Sequence, residues 1–173
     1  MGIRYLSLDE NLLFAARGEN NNGAANNGPR FFNYNTAATN SLTAFQVGAD
    51  LWMNVIPGVK IGTEAKFGVG GNTATQTTTI NANSINNLVE KITDGREAYI
   101  ASLSIPLVYK ITYGVALRGS YQMLYIDNLA LAADNFNNVP PALILPNSIR
   151  NVRINNDAEV LYTGFTGGAE FTW

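Results

Sequence analysis

Four stretches of this chain alternate apolar and polar residues with a period of two, and a sequence with that beat folds as β-strand. Tyr99, Ala101, Leu103, Ile105, Leu107 and Tyr109 fall on one face of a strand, with Ala98, Ser102 and Ser104 on the other. Val115, Leu117, Gly119, Tyr121, Met123 and Tyr125 oppose Ala116, Arg118, Ser120 and Gln122. Ile61, Thr63, Ala65, Phe67 and Val69 alternate with Lys60, Gly62, Glu64, Lys66 and Gly68. Phe45, Val47, Ala49, Leu51 and Met53 alternate with Ala44, Gln46, Gly48, Asp50 and Trp52. No helix-period pattern competes. With two weaker segments, the pattern predicts strands at about 2–14, 42–55, 59–70, 97–110, 113–126 and 159–173. In the first, Leu6 and Leu8 share a side with Arg4 and Glu10, and a bulge near Ser7 is expected to separate them. Pro106 cannot donate to a ladder, so a bulge or broken pairing is expected there.

The connections alternate in length. Pro57-Gly58 and Ile111-Thr112 read as tight turns, whereas about 16–41, 71–96 and 127–158 read as long polar loops rich in Asn, Thr, Gly and Ala. The long loops then share one end of the sheet, and the termini share the other with the short turns. The fold expected is a single all-β domain over residues 1–173. It is an antiparallel up-and-down meander of about six long strands, forming a transmembrane β-barrel or a strongly curved partial barrel.

Composition separates a membrane barrel from a soluble sheet. Only 14% of residues are charged, against roughly 25% in soluble domains, so one whole face does without charge. Tyr99 and Tyr109 stand ten residues apart on one apolar face. That is ~33 Å of strand, or ~24 Å of height when tilted by ~45°, close to the ~25 Å apolar band of outer-membrane barrels. Tyr113, Tyr125 and Trp173 complete the expected aromatic girdle, since a Tyr or Trp ring is apolar and its polar atom seeks water. The polar face carries Asp50, Lys60, Glu64, Lys66, Arg118, Gln122 and Glu170 beside Gly48, Gly62, Gly68, Gly164 and Gly168. Glycine weakens an exposed strand but suits a crowded lumen, so a mutually neutralised polar network is expected inside.

The chain contains neither Cys nor His, which removes thiolate sites, the usual general base and the commonest transition-metal ligand. A net charge of −2 disfavours nucleic acid as a partner. Catalysis would fall to Asp50, Glu64 and Glu170, for which a structural role is expected; neither enzyme activity nor a cofactor is. Asp127, Asp134 and Asp157 have Asn neighbours but not the spacing of a Ca²⁺ loop. The longest apolar runs are too short for a membrane helix. No signal peptide precedes Ile3-Arg4-Tyr5-Leu6, so any export signal is expected upstream.

The last residues, Thr166-Gly167-Gly168-Ala169-Glu170-Phe171-Thr172-Trp173, resemble the C-terminal β-signal read by the outer-membrane assembly machinery. Thr166, Gly168, Phe171 and Trp173 fill its places. Gly2 to Glu10, Arg118-Gly119-Ser120-Tyr121-Gln122 and Leu129-Ala130-Leu131-Ala132 resemble a family of planctomycete outer-membrane β-barrel proteins. The resemblance implies that this is the C-terminal part of a barrel and that an N-terminal hairpin lies upstream; it brings no catalytic residues. The implied setting is the bacterial outer membrane, with lipid and the barrel assembly machinery as partners, extracellular loops able to carry a ligand, and periplasmic termini. The function expected is structural or cell-surface interaction. A porin-like channel and a soluble secreted β-sandwich binding module are the alternatives.

Overall fold

Alternation becomes geometry when strands pair in one register. The computed structural model describes residues 1–19, 29–83, 85–136 and 153–173. Six strands run in chain order: β1 (Gly2–Glu19), β2 (Pro29–Ile56), β3 (Val59–Ala82), β4 (Ile85–Thr112), β5 (Val115–Leu129) and β6 (Ala158–Phe171). They form one antiparallel sheet in the order β1-β2-β3-β4-β5-β6. The sheet is an up-and-down meander curled strongly into an open half-barrel, as the alternation predicted.

Even-numbered residues point into the concavity, up to the register shift after Ile126 that turns Leu129 inward. Leu42 of β2, Ala98 and Ile100 of β4, and Ile126 and Leu129 of β5 meet in one buried cluster. Leu6 and Leu8 of β1, Leu124 of β5 and Val160 of β6 pack against it. This corrects the expectation of a bulge at Ser7. The β1–β2 register is unbroken from Gly2 to Glu19, and Leu6 and Leu8 face inward with Arg4 and Glu10 because the interior has an apolar tier for them.

The strands are much longer than predicted. Residues 29–41 and most of 71–96, expected as loops, extend β2, β3 and β4 into a tall antiparallel tower. Hydropathy does not alternate there because small and polar residues occupy both faces; Thr73, Thr75, Thr77 and Thr79 supply β-propensity instead. Of the third expected loop, 127–129 belong to β5, and 130–136 and 153–157 are irregular. Residues 20–28 of the first expected loop, with the asparagines at 20–22 and 26–27, and 137–152 of the third lie outside the described residues.

Turn assignments divide. Pro57-Gly58 joins β2 to β3 as expected, with Gly58 at φ +86°, a left-handed conformation that costs glycine little. The second tight turn is Tyr113-Gly114, not Ile111-Thr112, because an irregularity between Lys110 and Thr112 carries β4 two residues further. Pro106 interrupts the β3–β4 ladder, which lacks pairs between Ile61↔Leu107 and Glu64↔Ser104, yet the register resumes unshifted and no bulge forms. The amino end lies partway up the sheet, since β1 begins opposite Gln46 rather than beside the Pro57-Gly58 turn.

Strands β2 and β3 come closest to a missing side chain at Gly70. A Cβ there would lie 2.0 Å from the Thr43 carbonyl oxygen and 2.4 Å from Ala44 Cα, so β2 and β3 approach as closely as backbone allows. At Gly119 the nearest atom to such a carbon is 3.8 Å away. Gly70→Ala should therefore destabilise the protein by about 1–3 kcal/mol, the usual cost of overpacking, with Gly119→Ala close to neutral. Denaturant unfolding of the two variants in detergent measures the difference.

Candidate functional site

The concave face is organised in three tiers. The lowest holds the predicted lumen residues. Asp50, Lys60, Glu64, Lys66, Arg118, Gln122 and Glu170 all occupy even positions there, and two ion pairs form among them, Lys66 with Glu64 and Arg118 with Glu170. Lys66 Nζ lies 2.5 Å from Glu64 Oε1. Arg118 places Nη2 2.5 Å and Nε 2.6 Å from Glu170 Oε2. Asp50 stands directly across from Glu64 and Lys60 from Asn54. All four ion-pair side chains are about half exposed, so each pair contributes little beyond its geometry. Ser104 and Ser120 share a 2.8 Å hydrogen bond across the β4–β5 ladder. Arg4, Lys66, Gln122, Tyr162 and Thr166 line a cavity of about 480 Å³ here.

The lumen glycines behave differently on the two sides. At Gly48 an added Cβ would meet Lys66 Cγ at 2.6 Å, and at Gly62 the Trp52 ring at 2.9 Å. At Gly164 and Gly168 nothing lies within 4 Å, because the half-barrel is open beyond β6. Crowding therefore explains the glycines of β2 and β3 but not those of β6.

The middle tier is the apolar cluster. Above it lies a site that sequence reasoning missed: a cap formed by Leu129 to Phe136, folded over the inner face of the tower. Asn128, at φ +60°, sends the chain inward; Asn tolerates this conformation better than most residues. Leu129 and Ala130 are fully buried. The Asn40 side chain then imitates a strand, its amide donating to the Ala130 carbonyl at 2.7 Å and its Oδ1 accepting the Ala130 N–H at 2.8 Å. Asn72 donates to Asn40 Oδ1 at 2.9 Å and to the Asn128 carbonyl at 3.0 Å. Glu10 accepts the Ala132 N–H at 2.6 Å. Gln76 donates to the Asn135 carbonyl at 3.3 Å. Asn135 repeats the strand mimicry on Asn155, donating at 2.7 Å and accepting at 2.6 Å. Phe136 closes the top against Tyr34 at 4.6 Å and Phe14 at 6.2 Å between ring centroids. A signal was present: even positions 34–44 and 72–80 are uniformly small, amide-bearing or apolar, as an inner face requires.

The predicted girdle residues lie on the convex face or at its lower rim. Tyr99 stands opposite Val69, Tyr109 opposite Leu117 and Tyr125 opposite Leu161. Tyr113 is exposed in the β4–β5 turn, not on β5, and Trp173 is exposed beyond the end of β6. Of the terminal motif, Thr166 and Gly168 face inward opposite Ser120 and Arg118, and Phe171 faces outward opposite Val115. Asp127, Asp134 and Asp157 are not gathered: Asp127 accepts the Asn128 N–H, Asp157 pairs with Arg96, and Asp134 is exposed. Among the described residues no cluster of acidic, His or Cys side chains could hold a metal ion.

No protein family, curated protein or solved structure matches this chain.

Asn40→Leu keeps the branched outline of the side chain and leaves both Ala130 backbone groups without their partner. A loss of about 1–3 kcal/mol per stranded buried group is expected. Hydrogen exchange at Ala130 and Ala132 should accelerate while amides of β3 stay protected. Adding Asn72→Leu should cost less than the two single changes together, because both act through Asn40 Oδ1.

Proposed function

We propose that the chain forms most of a small outer-membrane β-barrel with a structural and cell-surface interaction role, its tower projecting outside the cell. The observation that carries this reading is the convex face. Ile3, Phe45, Val47, Phe67, Val69, Leu103, Leu107, Leu117 and Phe165 are exposed there, and no layer formed by the described residues covers them. Phe67 is 49% exposed and Leu117 45%, although both sit in the interior of the sheet. The pairs Ile3↔Phe45, Phe45↔Val69, Val47↔Phe67, Phe67↔Ala101 and Leu103↔Met123 make the apolar surface continuous across five strands. It ends upward at Thr43, Gly71 and Glu97, where the outward residues become polar. A patch of this extent on a soluble monomer would drive association; hydrocarbon would cover it at no cost to solubility.

Size follows from the curl. Leu6 and Leu8 of β1 and Val160 of β6 touch the same cluster, and Arg4 of β1 shares a cavity with Thr166 of β6. Inward side chains from the two free edges therefore reach one shared core, as they do where about eight strands surround a filled interior. β1 and β6 run in opposite directions, so two further strands would close the sheet with antiparallel pairing throughout. The apolar tier and the cap both obstruct the lumen, which favours a non-conducting barrel over a channel. The resemblance of Gly2 to Glu10, Arg118 to Gln122 and Leu129 to Ala132 to planctomycete outer-membrane barrels supports the same reading. Thr166, Gly168, Phe171 and Trp173 would then be the contact for the assembly machinery.

Met123→Arg, opposite Leu103 and so about midway between the levels of Tyr99 and Tyr109, should reduce insertion into lipid vesicles by about 2–4 kcal/mol, the cost of a cation on the lipid face near the midplane. Gln122→Arg, on the concave face of the same strand, should insert like the parent. Bilayer recordings should show no discrete conductance steps. A chain that folds in plain buffer, with Met123→Arg as stable as the parent, overturns the reading.

A further inference from the structure

The outer face of the tower tip carries a cleft of about 850 Å³ that the barrel itself does not use. Its floor is a small patch of sheet. Arg17 of β1 pairs with Phe31 of β2, and one row lower Asn33 of β2 pairs with Asn81 of β3. With strands ~4.8 Å apart and like-facing residues ~6.7 Å apart, these four side chains span roughly 10 by 7 Å. Arg30 and Glu19 stand at the rim. Asn83 is engaged, accepting the Phe31 N–H through Oδ1. Among the described residues neither Arg17 nor Arg30 is in an ion pair, and the Asn33 and Asn81 amides make no hydrogen bond.

We infer that this cleft binds a uronic-acid oligosaccharide. Each part of such a ligand has a counterpart. Adjacent amides present donors and acceptors together, which suits the vicinal hydroxyls of a sugar ring. Phe31, 37% exposed, offers an apolar face for the C–H side of the ring. The guanidinium of Arg17 matches a planar carboxylate with two parallel donors. Arg17 beside Glu19 favours a singly charged carboxylate over a doubly charged phosphate, which Glu19 would repel more strongly. Location agrees: Asn33 lies ten residues above Thr43 along β2, ~33 Å of strand beyond the apolar surface. That reach would clear a membrane and enter the polysaccharide outside it.

The inference rests on the surface-interaction reading. Calorimetric titration of the full chain in detergent micelles tests it, with trigalacturonate, a neutral galactose trisaccharide and galactose 1-phosphate as probes. Trigalacturonate should bind at least tenfold more tightly than either other probe. Arg17→Ala should weaken it roughly 10- to 100-fold, the worth of a charge-assisted contact, and abolish the preference over the neutral sugar. Phe31→Ala should weaken both sugars, and Arg118→Ala neither. Arg17 and Phe31 are exposed, so their loss leaves the sheet folded. Equal binding of the neutral sugar, tighter binding of the phosphate, no binding at millimolar concentration, or an unaffected Arg17→Ala variant would each overturn the inference. Vesicle insertion is measured separately: a barrel that inserts without binding uronate sinks only the cleft, and one that binds without inserting sinks only the membrane reading.

Discussion

Parity of strand pairing holds the rest of the structure in place. In every long ladder an odd residue faces an odd residue and an even one an even one, as in Phe45↔Val69, Ala65↔Leu103, Leu103↔Met123 and Tyr121↔Phe165. The irregularities lie within a few residues of strand ends, at Asn54/Ile56, Ile80/Ala82, Lys110/Thr112 and Ile126/Leu129. A slip of one residue in any ladder would turn that strand's whole outward set into the concavity. Neither surface tolerates this, since one is bare and apolar and the other is filled.

The filled side uses two chemistries for two heights. Low in the concavity, charges occur as half-exposed pairs, so little desolvation opposes them. Higher up, where Asn40 is fully buried and Asn72 nearly so, the buried polar side chains among the described residues are uncharged, amides and threonine hydroxyls, with the half-buried Glu10 at their edge. An amide carries donor and acceptor on one plane and can satisfy both groups of a passing backbone residue. Asn40 does this for Ala130, and Asn135 does it for Asn155. A carboxylate in place of Asn40 could accept but not donate, and its charge would be buried.

The cap has a mechanical consequence. Its contacts reach Glu10 of β1, Asn40 of β2, Asn72 and Gln76 of β3, and through Asn128 the Glu97 carbonyl of β4. Neighbouring strands are already tied by ladders, but the cap ties strands that are not neighbours. It braces the curl across the open side, while Gly70 permits the close approach of β2 and β3.

The sequence by itself determined the strand class, the meander, both faces of β4 and β5, and the positions of Asp50, Glu64, Lys66, Arg118 and Glu170 on the inner face. These follow from period-two alternation, a local property that survives without knowledge of any partner. Tertiary structure decided the tower and the cap. Residues 29–41 and 71–96 resemble loops because polar residues on an inner face are intelligible only once the cap supplies their partners. Leu6 and Leu8 seemed misplaced until an apolar tier drawn from β2, β4 and β5 received them. One ion pair was equally nonlocal: Arg118 and Glu170 lie fifty-two residues apart and meet only because β5 and β6 pair in one register.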